Sequence, residues 1–337
     1  MPAPRHLHVE LERWPLREPF AISRHVFHDS LVLTVQLLQD GLRGRGECEP
    51  HEHDQTTGLE AQAELLRHAA APGWLDGLDR SRLLERVPCT PWRNALDCAL
   101  WDLDAKRSGR RAWLLDPALA ARVGAAPPVP LTPTVSLDQP QAMAEAAAAC
   151  GEAPLLKVKL GSTDGRDGER LEAVSAAWRG RPLLVDVNGG WSVHDLRRWL
   201  PLARRLNVAV IEQPVPPGAD DELPSPAGSL LFCADESCTD RRSLAQVAAR
   251  YQMVNVKLDK TGGLTEALAL INEATHRGLT WMVGSNGGTS LAMAPLYLLA
   301  HGAVCVDAGA GHLTRDREPP LDVRQGYLHA PPPALWG

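Results

Sequence analysis

The sequence predicts an α/β protein, a TIM-like barrel preceded by an α+β domain. From about residue 131, short apolar strands alternate with helices. The candidate strands end near Ser136, Lys159, Asp186, Glu212, Asp235, Lys257, Gly284 and Asp307. From Lys159 onward these ends lie 27, 26, 23, 22, 27 and 23 residues apart, one βα unit each, and eight such strands fit a barrel. A length of 337 residues leaves room for a second domain. A doubly wound open sheet is the structural rival. However, no Gly-rich dinucleotide fingerprint follows the first strand, and no GxxxxGK[ST] phosphate loop is present.

The elements follow in chain order. Residues 1–50 read as antiparallel strands: residues 31–38 are a strongly apolar, β-branched run, and Gln39-Asp40-Gly41-Leu42 makes a hairpin turn, because Asp-Gly tolerates positive φ. Residues 57–71 and 92–108 read as helices, the second amphipathic through Ala95, Leu96, Ala99, Leu100 and Leu103. Strands followed by helices in one block indicate α+β. Residues 124–130, Gly-Ala-Ala-Pro-Pro-Val-Pro, form the linker. The expected division is 1–125 for the α+β domain, 126–312 for the barrel and 313–337 for a C-terminal segment.

Composition narrows the function. The chain is 44% hydrophobic and 23% charged with a net charge of −6, so neither disorder nor a basic nucleic-acid footprint is expected. Seven widely spread cysteines without a CxxC fit free thiols in a reducing compartment. Charges at Arg5, Glu10, Glu12, Arg13, Arg17 and Glu18 leave no signal-peptide core. The longest apolar stretch, residues 291–306, contains Pro295 and His301 and reads as a buried helix followed by a buried strand. A cytoplasmic location with no membrane partner is expected.

The lysines are informative because only five of the 35 basic residues are Lys. Lys106 stands alone; Lys157 with Lys159, and Lys257 with Lys260, form pairs. A Lys amine can lose its proton when desolvated or repelled, whereas Arg cannot. Side chains alternate along a strand, so Leu155, Lys157 and Lys159 share one face. Leu184 shares a face with Asp186, Val210 with Glu212, Cys233 with Asp235, and Asn255 with Lys257. Leu156, Val158, Val185, Ile211, Val254 and Val256 fall on the other face. Singly, an Asp at a strand end is a turn former and a Lys is solvated. Five ionisable ends in register would be too costly to bury without a shared purpose. They converge at the carboxyl-terminal mouth, where barrel enzymes place their sites.

Asp186, Glu212 and Asp235 make an all-oxygen set suited to Mg²⁺, with Asn188 and Glu236 expected to support them from behind. Lys159 and Lys257 flank the trio as the expected catalytic amines. Lys157 is expected to lower the Lys159 pKa by like-charge repulsion. Lys260, beyond the strand end beside Gly262-Gly263, reads as a loop charge. His51-Glu-His-Asp54 reads as a solvated loop, with a substrate-facing loop as the alternative.

The ordered motifs Leu-Lys-Val-Lys159, Val-Asp186-Val-Asn188, Ile-Glu212-Gln-Pro, Ala-Asp235-Glu236-Ser and Val-Lys257-Leu-Asp-Lys-Thr-Gly-Gly resemble the enolase superfamily. Within it they resemble the muconate-lactonizing subgroup, and most closely the dipeptide epimerases. Phe20-Ala-Ile-Ser-Arg24, Gly44-Arg-Gly-Glu-Cys-Glu-Pro50 and the segment from Arg93 to Asp102 are similar to the family's capping-domain motifs. The resemblance implies a modified (β/α)₇β TIM barrel, an N-terminal α+β capping domain and a C-terminal segment returning to that cap. It implies Mg-dependent epimerisation of an Ala-Glu-like dipeptide by two-base 1,1-proton transfer through a metal-stabilised enolate.

N-acylamino acid racemisation, cycloisomerisation or an o-succinylbenzoate synthase-type reaction would use the same scaffold. A non-catalytic binding protein is the third reading, and the intact ring of charges weighs against it. The expected partner is a small molecule, a dipeptide or an N-acylamino acid, with a homo-oligomer left open. Arg24 is expected to hold an acidic substrate side chain. Ser136, Ser285, Asn286 and Asp307 are further substrate-binding expectations. The family's Asp-x-Asp pair at the last strand is here Asp307-Ala-Gly309, which points to weaker recognition of a free amine or to an N-acylated substrate.

Overall fold

The computed structural model describes residues 4–21, 26–49, 56–69, 73–225, 228–309 and 312–337. Arg24 and the cluster from His51 to Asp54 lie outside the described residues.

The N-terminal domain is a three-stranded antiparallel sheet, β1 (His6–Ala21), β2 (Val26–Gln39) and β3 (Leu42–Cys48). The β2–β3 hairpin closes at Asp40 and Gly41, both at positive φ (50° and 74°), as their residue types allow. Helices α1 (Thr56–Ala69), α2 (Arg80–Arg86) and α3 (Pro91–Ser108) cover one face. Thr90 caps α3 by accepting from the Arg93 amide, Pro91 opens it, and Gly109 ends it in the left-handed region. The α3 backbone presses directly onto β3. A Cβ at Gly46 would lie 2.0 Å from the Ala95 carbonyl oxygen, and one at Gly44 2.2 Å from that of Ala99, so only glycine fits at either position.

Short strand β4 (Val129–Pro130) follows the first domain. Eight parallel strands then run in sequence order: β5 (Thr134–Val135), β6 (Leu156–Lys159), β7 (Leu183–Asp186), β8 (Val208–Glu212), β9 (Leu231–Ala234), β10 (Met253–Val256), β11 (Thr280–Gly284) and β12 (Val306–Asp307). The ring nearly closes. At the seam the Thr132 amide donates to the Val306 carbonyl at 2.8 Å, and the Thr134 hydroxyl donates to Asp307 at 3.0 Å. This is the expected barrel beneath an N-terminal capping domain.

The alternation of faces holds. Leu155, Leu184, Val210, Cys233, Met253, Met282 and Cys305 fill the barrel interior. Leu156, Val158, Val185, Ile211, Val254 and Val256 pack outward with the helices. Strands β13 (Val323–Arg324) and β14 (Tyr327–Leu328) pair with β4. The chain then reaches α3, where Trp336 Nε1 donates to the Cys98 carbonyl at 3.0 Å and the Gly337 amide to Asp102 at 2.8 Å.

Among the described residues, no helix is long and apolar enough to cross a membrane. All seven cysteines are free; Cys89 and Cys150 are half-buried and the other five buried.

Candidate active site

Strand register brings the ring together. Lys159, Asp186 and Glu212 are successive register partners across β6, β7 and β8, so their side chains leave the sheet at one level. Asp235 and Lys257 each follow their strand by one residue. Lys157 Nζ lies 2.8 Å from Asp186, 2.9 Å from Glu212 and 2.7 Å from Asp307. It is therefore enclosed by three carboxylates rather than standing beside Lys159 as a bare like charge. Lys159 Nζ donates to Asp186 at 2.7 Å and to the Asn188 side-chain oxygen at 3.0 Å. Lys257 Nζ lies 2.7 Å from Asp235.

The charges are set by burial and pairing together. Burial alone would push the Asp186 carboxyl up; Lys157 and Lys159 outweigh it and bring it down to about 2. The Glu212 carboxyl is pushed up to about 8 by burial and by Asp186, with Lys157 opposing. Burial would lower Lys257, but Asp235, Glu236 and Glu212 hold its amine charged, above the usual lysine range.

Supporting groups complete the ring. Asn188, at positive φ (47°), joins Lys159 to Glu236, donating to the latter from Nδ2 at 3.2 Å. Asn255 Nδ2 donates to Glu212 at 2.6 Å. Gln213 Oε1 accepts from the backbone amides of Asp235 and Ser237.

Lys260 corrects the sequence reading. It is not a loop charge but is buried beneath the ring, donating to the carboxylate and backbone carbonyl of Asp235 and, at 3.0 Å, to the Asn255 carbonyl. The chain after β10 turns at once into a helical segment, Leu258–Thr261, which swings Lys260 back under the strand ends. The scarcity of lysine was the available signal, and it applied to Lys260 as much as to Lys257. Asn255 and Gln213 carried no comparable signal.

Above the ring lies a cavity of about 560 Å³, within the range of small-molecule sites. Lys157, Lys159 and Lys257 form its barrel side; Ser136, Ser285, Asn286 and Asp307 also line it, and Phe20 and Phe27 close it from the cap. The cap is held over the barrel by α3. Arg93 donates to the carbonyls of Thr261 (2.6 Å) and Gly262 (2.8 Å), Asn94 donates to Asp259 (2.7 Å), and Asp97 accepts from the Thr265 amide (2.8 Å) and hydroxyl (2.7 Å).

Whether the ring suits a metal turns on its oxygens. Among the described residues, no three His, Cys, Asp or Glu side chains are arranged as placed to share an ion; each carboxylate of the trio is turned toward lysine or asparagine. Glu212 Oε2 and Asp235 Oδ2 are buried and ion-paired, with Lys157 at 2.9 Å and Lys257 at 2.7 Å, while Glu236 Oε2 is buried beside them with no hydrogen-bond partner. Three buried carboxylates on adjacent strand ends, with the unpartnered Glu236 Oε2 beside them, form an all-oxygen set whose chemistry fits a hard divalent cation. Two amines facing one cavity equip it for acid/base chemistry at a single carbon of a small carboxylate.

Comparison with known proteins agrees. The chain matches the enolase C-terminal domain-like family over residues 141–334 and the mandelate racemase/muconate lactonizing enzyme N-terminal domain over residues 5–115. L-Ala-D/L-Glu epimerase of Escherichia coli (strain K12) is 38% identical over 330 residues, spanning 96% of this chain and 99% of that protein. N-acetyl-D-glutamate racemase of a Pseudoalteromonas species is 39% identical over 262 residues, spanning 77% and 80%. An enolase family member from Agrobacterium tumefaciens with homology to dipeptide epimerases, solved with sodium and L-Ala-L-Glu, superposes with a TM-score of 0.91 at 38% identity, covering 99% of this chain and 100% of that one. The chain therefore belongs to the enolase superfamily, in its muconate-lactonizing subgroup, and closely resembles the L-Ala-D/L-Glu epimerases.

Proposed function

We propose that the protein is an isomerase that inverts the α-carbon of the C-terminal residue of an Ala-Glu-like dipeptide by two-base proton transfer. One observation carries this reading. Lys159 ends β6 and Lys257 follows β10, four places apart among eight strands, so the two amines approach the cavity from opposite sides. For one epimer, Lys159 in its neutral form takes the α-proton on Nζ, while the Lys257 ammonium delivers a proton to the opposite face. The reverse pairing serves the other epimer. Proton count is conserved, and each turnover leaves the pair in exchanged protonation states. Lys157, held charged by Asp186, Glu212 and Asp307, offers fixed positive charge to the substrate carboxylate.

Asp186, Glu212 and Asp235 would hold Mg²⁺, which supplies further positive charge against the substrate carboxylate as the α-proton leaves. Asn188 and Glu236 would keep those ligands oriented. The relatives acting on L-Ala-D/L-Glu and the L-Ala-L-Glu-bound neighbour support the substrate class.

A second reading, racemisation of an N-acylamino acid, is favoured by one specific observation. Asp307 is already bonded to Lys157 and Thr134, and position 309 is glycine, which leaves that strand end poor in free carboxylate for an amine. The N-acetyl-D-glutamate racemase likeness points the same way. Incubation with L-Ala-L-Glu and N-acetyl-L-glutamate in D₂O, followed by mass spectrometry, tests both. Deuterium in the dipeptide supports the first reading; deuterium only in the N-acyl compound replaces it with the second. No exchange in either removes both.

A further inference from the structure

The cavity wall contains a carboxylate that this chemistry leaves unused. Glu49 follows β3, is 9% exposed and lines the cavity, yet its Oε2 has no hydrogen-bond partner. Other acids on that wall are engaged or solvated. Asp307 is held by Lys157 at 2.7 Å, Asp29 lies 2.7 Å from Arg13, and Glu18 and Asp138 are exposed. The Glu49 head is also fixed in place. A Cβ at Gly287 would fall 2.1 Å from Glu49 Oε2 and 3.1 Å from Oε1, so the loop after β11 closes on the carboxyl only because residue 287 has no side chain. Gly287 sits at φ +140°, a conformation that glycine alone adopts readily. Burial pushes the Glu49 carboxyl well above the usual range, against a hydrogen bond with Ser30 and with Asp259 and Glu47 adding to the rise; it favours its neutral form until a cation beside it stabilises the carboxylate. A buried oxygen without a partner, here Oε2, costs free energy, and a ligand bringing positive charge and N–H donors would recover it.

The cavity carries both signs of charge that a zwitterion needs. Its barrel side carries the Lys157, Lys159 and Lys257 amines, and Glu49, which follows β3 of the cap, lines the same cavity where the cap meets the loop after β11. A dipeptide bound with its carboxylate at the lysines would extend the other end, about 7 Å away for two extended residues, toward the cap. We propose that Glu49 recognises the free α-ammonium group of the substrate and thereby selects dipeptides over N-acylated amino acids. This rests on the dipeptide reading above.

The test uses the full chain with Mg²⁺ and compares L-Ala-L-Glu with N-acetyl-L-Ala-L-Glu, whose amine carries no charge. Glu49→Gln, which keeps shape and cannot ionise beside a bound ammonium group, should reduce the kcat/KM preference for the free amine by about tenfold or more, mostly through KM. Glu49→Asp, which retains charge on a shorter stem, should restore part of it. An unchanged preference in Glu49→Gln, or equal losses on both substrates in both variants, overturns the assignment.

Calorimetric binding of the same two compounds reads the preference without turnover. Binding of L-Ala-L-Glu that weakens in Glu49→Gln, without proton exchange in the unmodified protein, supports Glu49 and removes the epimerase reading alone. Exchange with unaltered binding preference removes Glu49 alone. No binding of either compound to the unmodified protein overturns both.

Discussion

Lys159 and Lys257 stand four strands apart around the eight-stranded barrel and line one cavity, each amine 2.7 Å from a different carboxylate, Asp186 and Asp235 respectively. Neither amine is free to swing without breaking that ion pair, so each is confined to its own side. Separate faces predict separable losses. Lys159→Ala should lose α-proton exchange from one epimer of Ala-Glu by about 10²-fold or more, while Lys257→Ala should lose it from the other. Deuterium incorporation into L-Ala-L-Glu and L-Ala-D-Glu measures both. Equal losses from both epimers in each single variant would show that the two amines do not divide the faces.

The carboxylate trio predicts a measurable metal dependence. Asp235 is buried and bonded through Oδ2 to Lys257 and through Oδ1 to Lys260. Asp235→Asn removes one negative charge from the set and should weaken Mg²⁺ binding by about tenfold or more, read by calorimetry or by competition with Mn²⁺. Turnover that persists in excess chelator would rule out the metal role.

The barrel was legible because a period-two pattern is local. Leu155, Lys157 and Lys159 alternate with Leu156 and Val158 within one strand, and burial on two faces leaves only one arrangement for them. The ring was legible for the same reason: each charge ends its own inward row. What could not be read lies between distant segments. Arg317 donates to Glu47 at 2.7 Å, to Thr34 at 2.9 Å and to Thr289 at 3.0 Å, fastening the C-terminal segment to the cap and the barrel together. No sequence period links residues so far apart. Lys260 was missed for a different reason: a four-residue helical turn after a strand has no pattern long enough to announce itself.

Lys260 gives the sharpest check on that correction. Its amine is buried and bonded to the Asp235 carboxylate and two backbone carbonyls. Lys260→Met keeps the stem and leaves those acceptors without their donor. Loss of a buried partner of this kind costs about 3 kcal/mol or more, whereas removing a solvated loop charge changes stability by less than about 0.5 kcal/mol. Urea denaturation at pH 7 separates the two. A midpoint that does not move would return Lys260 to the surface.

The junction between cap and barrel predicts how stability varies with pH. Asp97 on α3 is fully buried; burial pushes its carboxyl up to about 6, although the Thr265 amide and hydroxyl pull the other way. Asp259 is pushed up to about 7, again first by burial, against the hydrogen bond from Asn94. In the unfolded chain both carboxyls titrate near the ordinary Asp value of about 4. Below pH 4 both states hold these protons and the pair contributes no pH dependence. As pH rises, the unfolded chain releases them first and gains free energy that the folded protein cannot match until its own groups ionise. The contribution of both residues to stability is therefore full below pH 4, falls between pH 4 and 7, and is level above. Urea unfolding free energies at pH 5, 6, 7 and 8 should decline, with Glu212, pushed up to about 8, extending the decline beyond pH 7 by the same linkage. Asp259→Asn, which cannot ionise, should make the decline between pH 6 and 7 shallower. If the variant retains the same slope there, Asp259 is not the group responsible.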